Sequence, residues 1–398
     1  SLLSPPLQLM NMRIVFLLML CFARRTRGYR IATPIINRSL KAKNSGSLYE
    51  KPPPKKLFQN LGILTSGFPP QQLLVPVVKF FTFNVWKLMM QELVTHDSDG
   101  RFIRESFEVG NNPQPLTLDG RYRLYLGGPC PWCHRVSSTL ALLKLKDAIK
   151  VTNLIDDAEK ASKGGWILPP PPPDSDDIQE ELKVGDLSSV YNFCYREVAP
   201  DGYKGRATAP LLIDETSGKI VSNESNEIMV LLNDFARTKG EGRIDLRPQS
   251  LEDEINGATK HWFDLLWNGV YKCGFATSQK AYDEAAAGVL TGLEEMNNSL
   301  GETPFLVGGV LTEVDVKAFS WVVRHDHAYS VIFKSPGGRI AQYKNIASWV
   351  KRLVELYPDL EEFDLPDACG SYFRQLFMLN FGRVVPYMPT MREFISGL

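Results

Sequence analysis

The run from Arg121 to Leu154 constrains this chain more than any other part of it. Arg121–Leu126 alternates as a short strand after the turn Asp119-Gly120, and Gly127-Gly128-Pro129 breaks it. A helix is predicted from about Pro131 to Lys146, with Val136, Leu140, Leu143 and Leu145 on its buried face, and Lys150–Leu154 gives a second strand. Strand, helix and strand so close together make a βαβ unit, so the two strands are predicted to be parallel. Cys130 then falls at the helix N-terminus, where free N–H groups and the helix dipole favour a thiolate. Pro131 suits the first turn, because the N–H it lacks would be unbonded there anyway. His134 and Arg135 are expected to add positive potential.

The βαβ unit is followed by an acidic, polar stretch holding the uninterrupted prolines Pro169–Pro173, which reads as a stiff, extended loop insertion. Ala209-Pro210 heads a strand through Asp214, with residues 215–219 as a turn and Ile220-Val221 opening another strand. The X-Pro bond at the strand head points to a cis-proline that leaves backbone exposed for a peptide ligand; a trans proline that merely starts the strand fits the same residues. A helix is predicted from about 222–225, capped by Ser222 or Asn223, through Ile228, Leu231, Leu232 and Phe235. Residues 251–357 are almost wholly helical in pattern, with loops expected at 299–304 and 335–339.

That order predicts an α/β thioredoxin-like N-terminal domain followed by an all-α C-terminal domain, the glutathione transferase plan. The expected segments are a leader and linker at 1–56 and an extension with one helix at 57–118. The thioredoxin-like domain takes 119–240, with the insert near 167–185, the helical domain 241–366 and a tail 367–398. The helix of the extension is expected at Leu74–Leu93.

Composition narrows the function. Lys+Arg and Asp+Glu are equal at 45 each, so net charge offers nothing to nucleic acid. Residues 1–49 contain no Asp or Glu but several arginines and lysines, with an apolar run Ile14–Ala23 too short to span a bilayer. An organellar leader is expected, plastid ahead of mitochondrion; a mispredicted start would leave the protein in the cytoplasm. No stable membrane span is expected. The 6 cysteines are too scattered for a disulfide framework, and only Cys130 and Cys133 are close.

Cys-x-x-Cys-His also fits covalent attachment of a haem, but the βαβ setting is wrong for a small helical haem domain. A zinc site would need a second ligand pair, which is absent, so no metal is expected. Two buried structural cysteines are the plain alternative to a nucleophile. Cys133 lies a turn inside the helix and is either a resolving thiol or a small buried residue. At the helix opened by Val221-Ser222-Asn223-Glu224-Ser225, Glu224 suits an ammonium and Ser225 a carboxylate, beside the simpler reading of an ordinary cap.

Several separated motifs carry a resemblance: KLMMQEL, Cys130-Pro131-Trp132-Cys133-His134-Arg135, Gly164-Gly165-Trp166, Gly205-Arg206-Ala207-Thr208-Ala209-Pro210, VSNESNEI, NGVYKCGFA and LTEVDVKAF…VVRHDHAY. Together they resemble the glutathionyl-hydroquinone reductases, the Xi class of glutathione transferases, in their cyanobacterial and plastid-type branch, over roughly Leu74 to Pro386. The resemblance implies Cys130 as catalytic cysteine and glutathione as co-substrate. Trp166 would pack on glutathione, Arg206 would lie near its carboxylate end, and the Ala209 backbone would pair with its cysteinyl part. Glu224 and Ser225 would hold the γ-glutamyl group, and Tyr271 and Tyr329 would line the site for an aromatic substrate. On the residues alone, each tyrosine reads first as a core or interface residue. A homodimer is expected.

This chain departs from the family at Cys133, where alanine is common, at the proline-rich insert, which is expected to displace a wall of the glutathione pocket, and at His325-Asp326-His327 before Tyr329. The related activities, thiol transfer as in omega-class and glutaredoxin-like enzymes or dehydroascorbate reduction, need the same cysteine without the tyrosines. A non-enzymatic ligand-binding role keeps the fold alone.

Overall fold

Tyr122, Leu124 and Leu126 face one hydrophobic cluster and Tyr125 the other, which is the period-2 arrangement of a strand buried on both sides. The computed structural model describes residues 71–398 except 110–112, 158, 162–163, 171–184, 200 and 241–243. The expected leader and most of the proline-rich insert lie outside the described residues.

Helix α1 (Gln71–Leu93) and a small antiparallel ribbon of β1 (Thr95–His96) and β2 (Phe102–Ile103) come first. Strand β3 (Tyr122–Gly127) leads into α2 (Pro131–Leu142) and then β4 (Lys150–Asp156), which pairs parallel to β3 with Leu124 opposite Val151. The βαβ unit is therefore as its spacing requires. Helix α2 closes before the predicted Lys146 because Lys144 turns into the left-handed region at φ 53°. Leu143 and Leu145 still bury fully.

Strand β5 (Trp166–Ile167) covers the edge of β4, and the insert that follows is closed at its base by Leu168 N–H donating to Gly185 O at 2.9 Å. Helix α3 (Leu187–Tyr195), which the sequence pattern did not single out, packs Leu187, Val190 and Tyr191 on the sheet face opposite α2. Strands β6 (Leu211–Asp214) and β7 (Lys219–Ser222) and helix α4 (Ser225–Thr238) complete the half, giving a five-stranded order β5-β4-β3-β6-β7.

The helical half comprises α5 (Glu252–Trp262), α6 (Gly269–Phe275), α7 (Gln279–Glu302), α8 (Glu313–Arg324), α9 (Lys344–Leu356), α10 (Leu365–Gln375) and α11 (Met391–Ser396). Helix α7 runs through much of the loop expected at 299–304, because Leu300 is buried there. The expected tail boundary at 366/367 falls inside α10. Helix α2 packs on α4 on one side and α8 on the other, so the nucleophile helix is held by both halves. Beneath it lies a buried ion cluster: Glu313 Oε1 accepts from Lys317 Nζ at 2.7 Å and from Arg247 Nη1 at 3.0 Å.

Candidate active site

Cys130 is the N-cap of α2, with extended backbone (φ −68°, ψ 121°) and Pro131 as the first helical residue. Its sulfur is partly buried and lies 3.7 Å from the Ala209 carbonyl oxygen. Burial alone would push the thiol up. The Cys133 thiol, the amides of Cys133 and Trp132, and the charge of Arg324 outweigh burial and bring Cys130 down to about 7. Cys133 is fully enclosed, its sulfur accepts the Gly127 N–H at 3.2 Å, and burial together with its bond to Cys130 pushes it up. Cys130 is thus the more acidic thiol of the pair, and Cys133 the neutral donor that supports its thiolate. Both are free thiols.

The expected charge from His134 is absent. Its ring is stacked on Phe363 at 3.6 Å, and burial, then the neighbouring Arg324, holds it well below the usual imidazole range, so it is neutral. Its Nδ1 accepts from Arg324 Nη1 at 2.8 Å. Arg324, on α8 of the helical half, is fully buried and also donates Nε and Nη2 to the Pro129 carbonyl at 3.3 and 3.2 Å. No carboxylate pairs with it among the described residues. Positive potential at Cys130 therefore comes both from Arg324, across the domain boundary, and from Arg135 on α2 itself, as expected. Arg324 sits in the VVRHDHAY motif, but nothing local in that motif marks it as facing residue 130.

Three phenols meet beside the nucleophile loop. Tyr372 OH lies 3.0 Å from Tyr271 OH and 3.3 Å from Tyr329 OH. The Tyr271 ring stacks on Trp132, two residues after Cys130, at 6.4 Å and 27°. π-Helical turns at Phe263–Trp267 and His325–Tyr329 precede Tyr271 and end at Tyr329; the extra residue in each turn re-aims the chain into the site. Burial raises all three phenols, so they are protonated hydrogen-bond donors. Tyr372 lay in the segment expected as a tail. The signal that finds it is Asp364-Leu365-Pro366-Asp367, in which Asp364 caps α10 and Pro366 opens it.

Among the positions expected to hold glutathione, Ala209 faces the Cys130 sulfur through its carbonyl. Ala209-Pro210 is cis. Trp166 lies across the end of β3: a Cβ on Gly127 would come within 2.3 Å of the indole, so only glycine fits there. The base of the insert is closed by Leu168 and Gly185, and Trp166 remains seated on β3; the rest of the insert, and with it the expected displacement of this wall, lies outside the described residues. Arg206 is exposed, with no side-chain ion pair among the described residues. Glu224 itself caps α4, accepting from Asn226 N–H at 3.1 Å. Of the two expected caps, Ser222 accepts from Glu224 N–H at 3.1 Å, and Asn223 instead donates to Phe107 O at 2.8 Å and Thr208 Oγ1 at 3.0 Å, tying the arm to the cis-proline loop. The Ser225 hydroxyl is engaged within the protein: it accepts from Arg135 Nε at 3.1 Å and donates to Glu224 Oε1 at 3.2 Å. Arg135, packed over Trp132 at 4.4 Å, so links the nucleophile helix to the helix that carries Glu224.

A cysteine thiolate at a βα turn, a cis-proline across from it and a following helical half define a glutathione S-transferase. The family model described as glutathione S-transferase, N-terminal domain matches residues 129–234, and the C-terminal domain model matches 279–352. The chain is 32% identical over 301 residues to glutathionyl-hydroquinone reductase PcpF of Sphingobium chlorophenolicum, covering 74% of this chain and 92% of that protein. The crystal structure of the Xi glutathione S-transferase of Phanerochaete chrysosporium superposes with a TM-score of 0.63 at 33% identity, covering 74% and 95% of the two chains. The glutathione-bound structure of YqjG from Escherichia coli K-12 gives 0.59 at 30% identity, covering 74% and 91%. The chain belongs to the glutathionyl-hydroquinone reductase family, the Xi-class glutathione transferases, and is an enzyme of glutathione-dependent chemistry.

Proposed function

We propose that this enzyme reduces glutathionyl-hydroquinones through a mixed disulfide between Cys130 and glutathione. The Cys130 thiolate attacks the glutathione sulfur of the aryl thioether. An S–S bond forms, the C–S bond breaks, and its electron pair passes to the ring carbon, which takes up a proton as the hydroquinone leaves. A second glutathione thiolate then attacks the mixed disulfide, releasing oxidised glutathione and restoring the Cys130 thiolate. Trp166, Arg206, the Ala209 backbone, Glu224 and Ser225 hold glutathione. Tyr271 and Tyr329, with Tyr372 completing the cluster, donate to the aromatic hydroxyls and assist protonation.

The observation that carries this reading is the contact of Trp132 with Tyr271, which puts a cluster of neutral phenols against the loop of a stabilised thiolate. A disulfide exchange alone needs the thiolate and has no use for the phenols. Parallel assays with a glutathionyl-hydroquinone, dehydroascorbate and a small glutathione mixed disulfide test it. The first substrate should be turned over with the highest kcat/KM; activity confined to the other two would replace the reading.

The Cys133 thiol hydrogen-bonded to Cys130 favours a second reading, thiol transfer on mixed disulfides or dehydroascorbate. For location, the acid-free basic stretch before residue 50 supports import into an organelle, a plastid ahead of a mitochondrion; N-terminal sequencing of the cellular protein tests it. The family resemblance supports a homodimer, tested by light scattering.

A further inference from the structure

Arg104 stands on the arm between β2 and β3, with part of its surface in solvent. Its guanidinium carbon lies 4.7 Å from the centre of the Trp132 ring and 5.1 Å from that of Tyr271. It therefore rests on the two rings that join the nucleophile loop to the phenol cluster. Its Nε donates to Oδ1 of the buried Asn268 at 2.8 Å, which fixes the plane of the group. Burial lowers its pKa from the usual guanidinium value, and the nearby Tyr271, Cys130, Glu224 and Tyr372 act against that shift.

Two nearby arginines are already paired with carboxylates. Arg101, three residues earlier, pairs with Asp97, Asp99 and Glu284, and Arg135 with Glu224. Arg104 has no carboxylate partner among the described residues, and its terminal nitrogens make no hydrogen bond there. A guanidinium held flat by two rings and one amide, with its outer N–H fork open, matches the two oxygens of a carboxylate.

We propose that Arg104 is a carboxylate-binding residue of the active-site cleft, suited to an aromatic conjugate whose ring carries an acid group. This deepens the hydroquinone reading by naming the class of acceptor: acidic aromatic conjugates ahead of neutral ones. Glutathione itself also carries carboxylates, and the two sources separate experimentally.

Binding is measured by calorimetry for glutathione, S-benzylglutathione and S-(4-carboxybenzyl)glutathione, with the parent, Arg104→Gln and Arg104→Lys. The parent should bind the carboxybenzyl conjugate about tenfold more tightly than the benzyl conjugate, the scale of one charge-assisted hydrogen bond. Arg104→Gln should lose that preference and Arg104→Lys keep part of it. If Arg104 instead holds a carboxylate of glutathione, Arg104→Gln weakens all three ligands by the same factor. Equal affinities of Arg104→Gln and parent for all three, with unchanged melting temperature, overturn the proposal. Attack at the sulfur of a benzyl thioether would have to expel a benzyl carbanion, so these ligands test binding alone, and a failure of the reductase reading shows separately, as a parent enzyme that keeps the carboxybenzyl preference but releases no hydroquinone from a glutathionyl-hydroquinone.

Discussion

Arg324 and Pro129 are joined by two N–H bonds, at 3.3 and 3.2 Å, from the helical half to the carbonyl just before the nucleophile. The same guanidinium holds the neutral His134 ring and has no carboxylate partner among the described residues. A buried cation without a counter-charge is costly, and the Cys130 thiolate is the anion that offsets it. The acidity of Cys130 is therefore set jointly by its own helix and by the other domain.

Arg324→Gln should raise the pKa of Cys130 above its present value of about 7. A lost opposite charge is worth about 1–3 units, so alkylation by iodoacetamide at pH 6 should slow by at least about tenfold. The direction follows from the thiolate fraction, which below its pKa falls tenfold per unit. Rates of parent and variant should converge above the variant's pKa, which a misfolded variant would not show. Arg324→Lys should fall between them.

Cys130→Ser should abolish turnover, while Cys133→Ser should keep most of it, because a serine hydroxyl can still donate to the thiolate. Cys133→Ala removes that donor and should move the alkylation midpoint up. Complete loss in Cys133→Ser would show that a disulfide between the two cysteines is obligatory.

The ion cluster under α2 gives a stability prediction. Lys317 and Glu313 have side chains only 1% and 3% exposed. Glu313→Ala leaves Lys317 and Arg247 without their shared carboxylate and should cost about 3–5 kcal/mol in urea unfolding. A loss below about 1 kcal/mol would mean that water reaches the cluster.

Phenol removal separates the two activities. Tyr271→Phe with Tyr329→Phe should lose far more activity on a glutathionyl-hydroquinone than on a small mixed disulfide. Each lost hydrogen bond is worth about 0.5–1.5 kcal/mol, and loss of assisted protonation would add about 10²–10⁴-fold. Equal losses on both substrates with a lowered melting temperature would make the tyrosines structural.

What the sequence made legible follows from range. The strand, the Cys130 turn and α2 are local, so alternation, Gly-Gly-Pro and helical spacing reveal them. Ala209-Pro210 and the start of α4 carry their own turn chemistry, although the cap proved to be Glu224 because Asn223 is drawn away to Phe107 and Thr208. Arg324 and Tyr372 reach the site only through tertiary packing, from 190 and more residues away in the chain for Arg324 and His134, and no local period reports such a contact. His134 shows the converse error: its sequence neighbourhood suggests a charge, while its burial against Phe363 and Arg324 removes it.

The central claim, a Cys130–glutathione mixed disulfide formed from an aryl conjugate, is tested by trapping it. The Cys133→Ser enzyme is mixed with one equivalent of a glutathionyl-hydroquinone and no free glutathione, quenched in acid and mapped by peptide mass spectrometry. The account predicts one glutathione on the peptide carrying Cys130, removable by reductant, with hydroquinone released in equal amount. Hydroquinone released in that amount while Cys130 stays unmodified would contradict it.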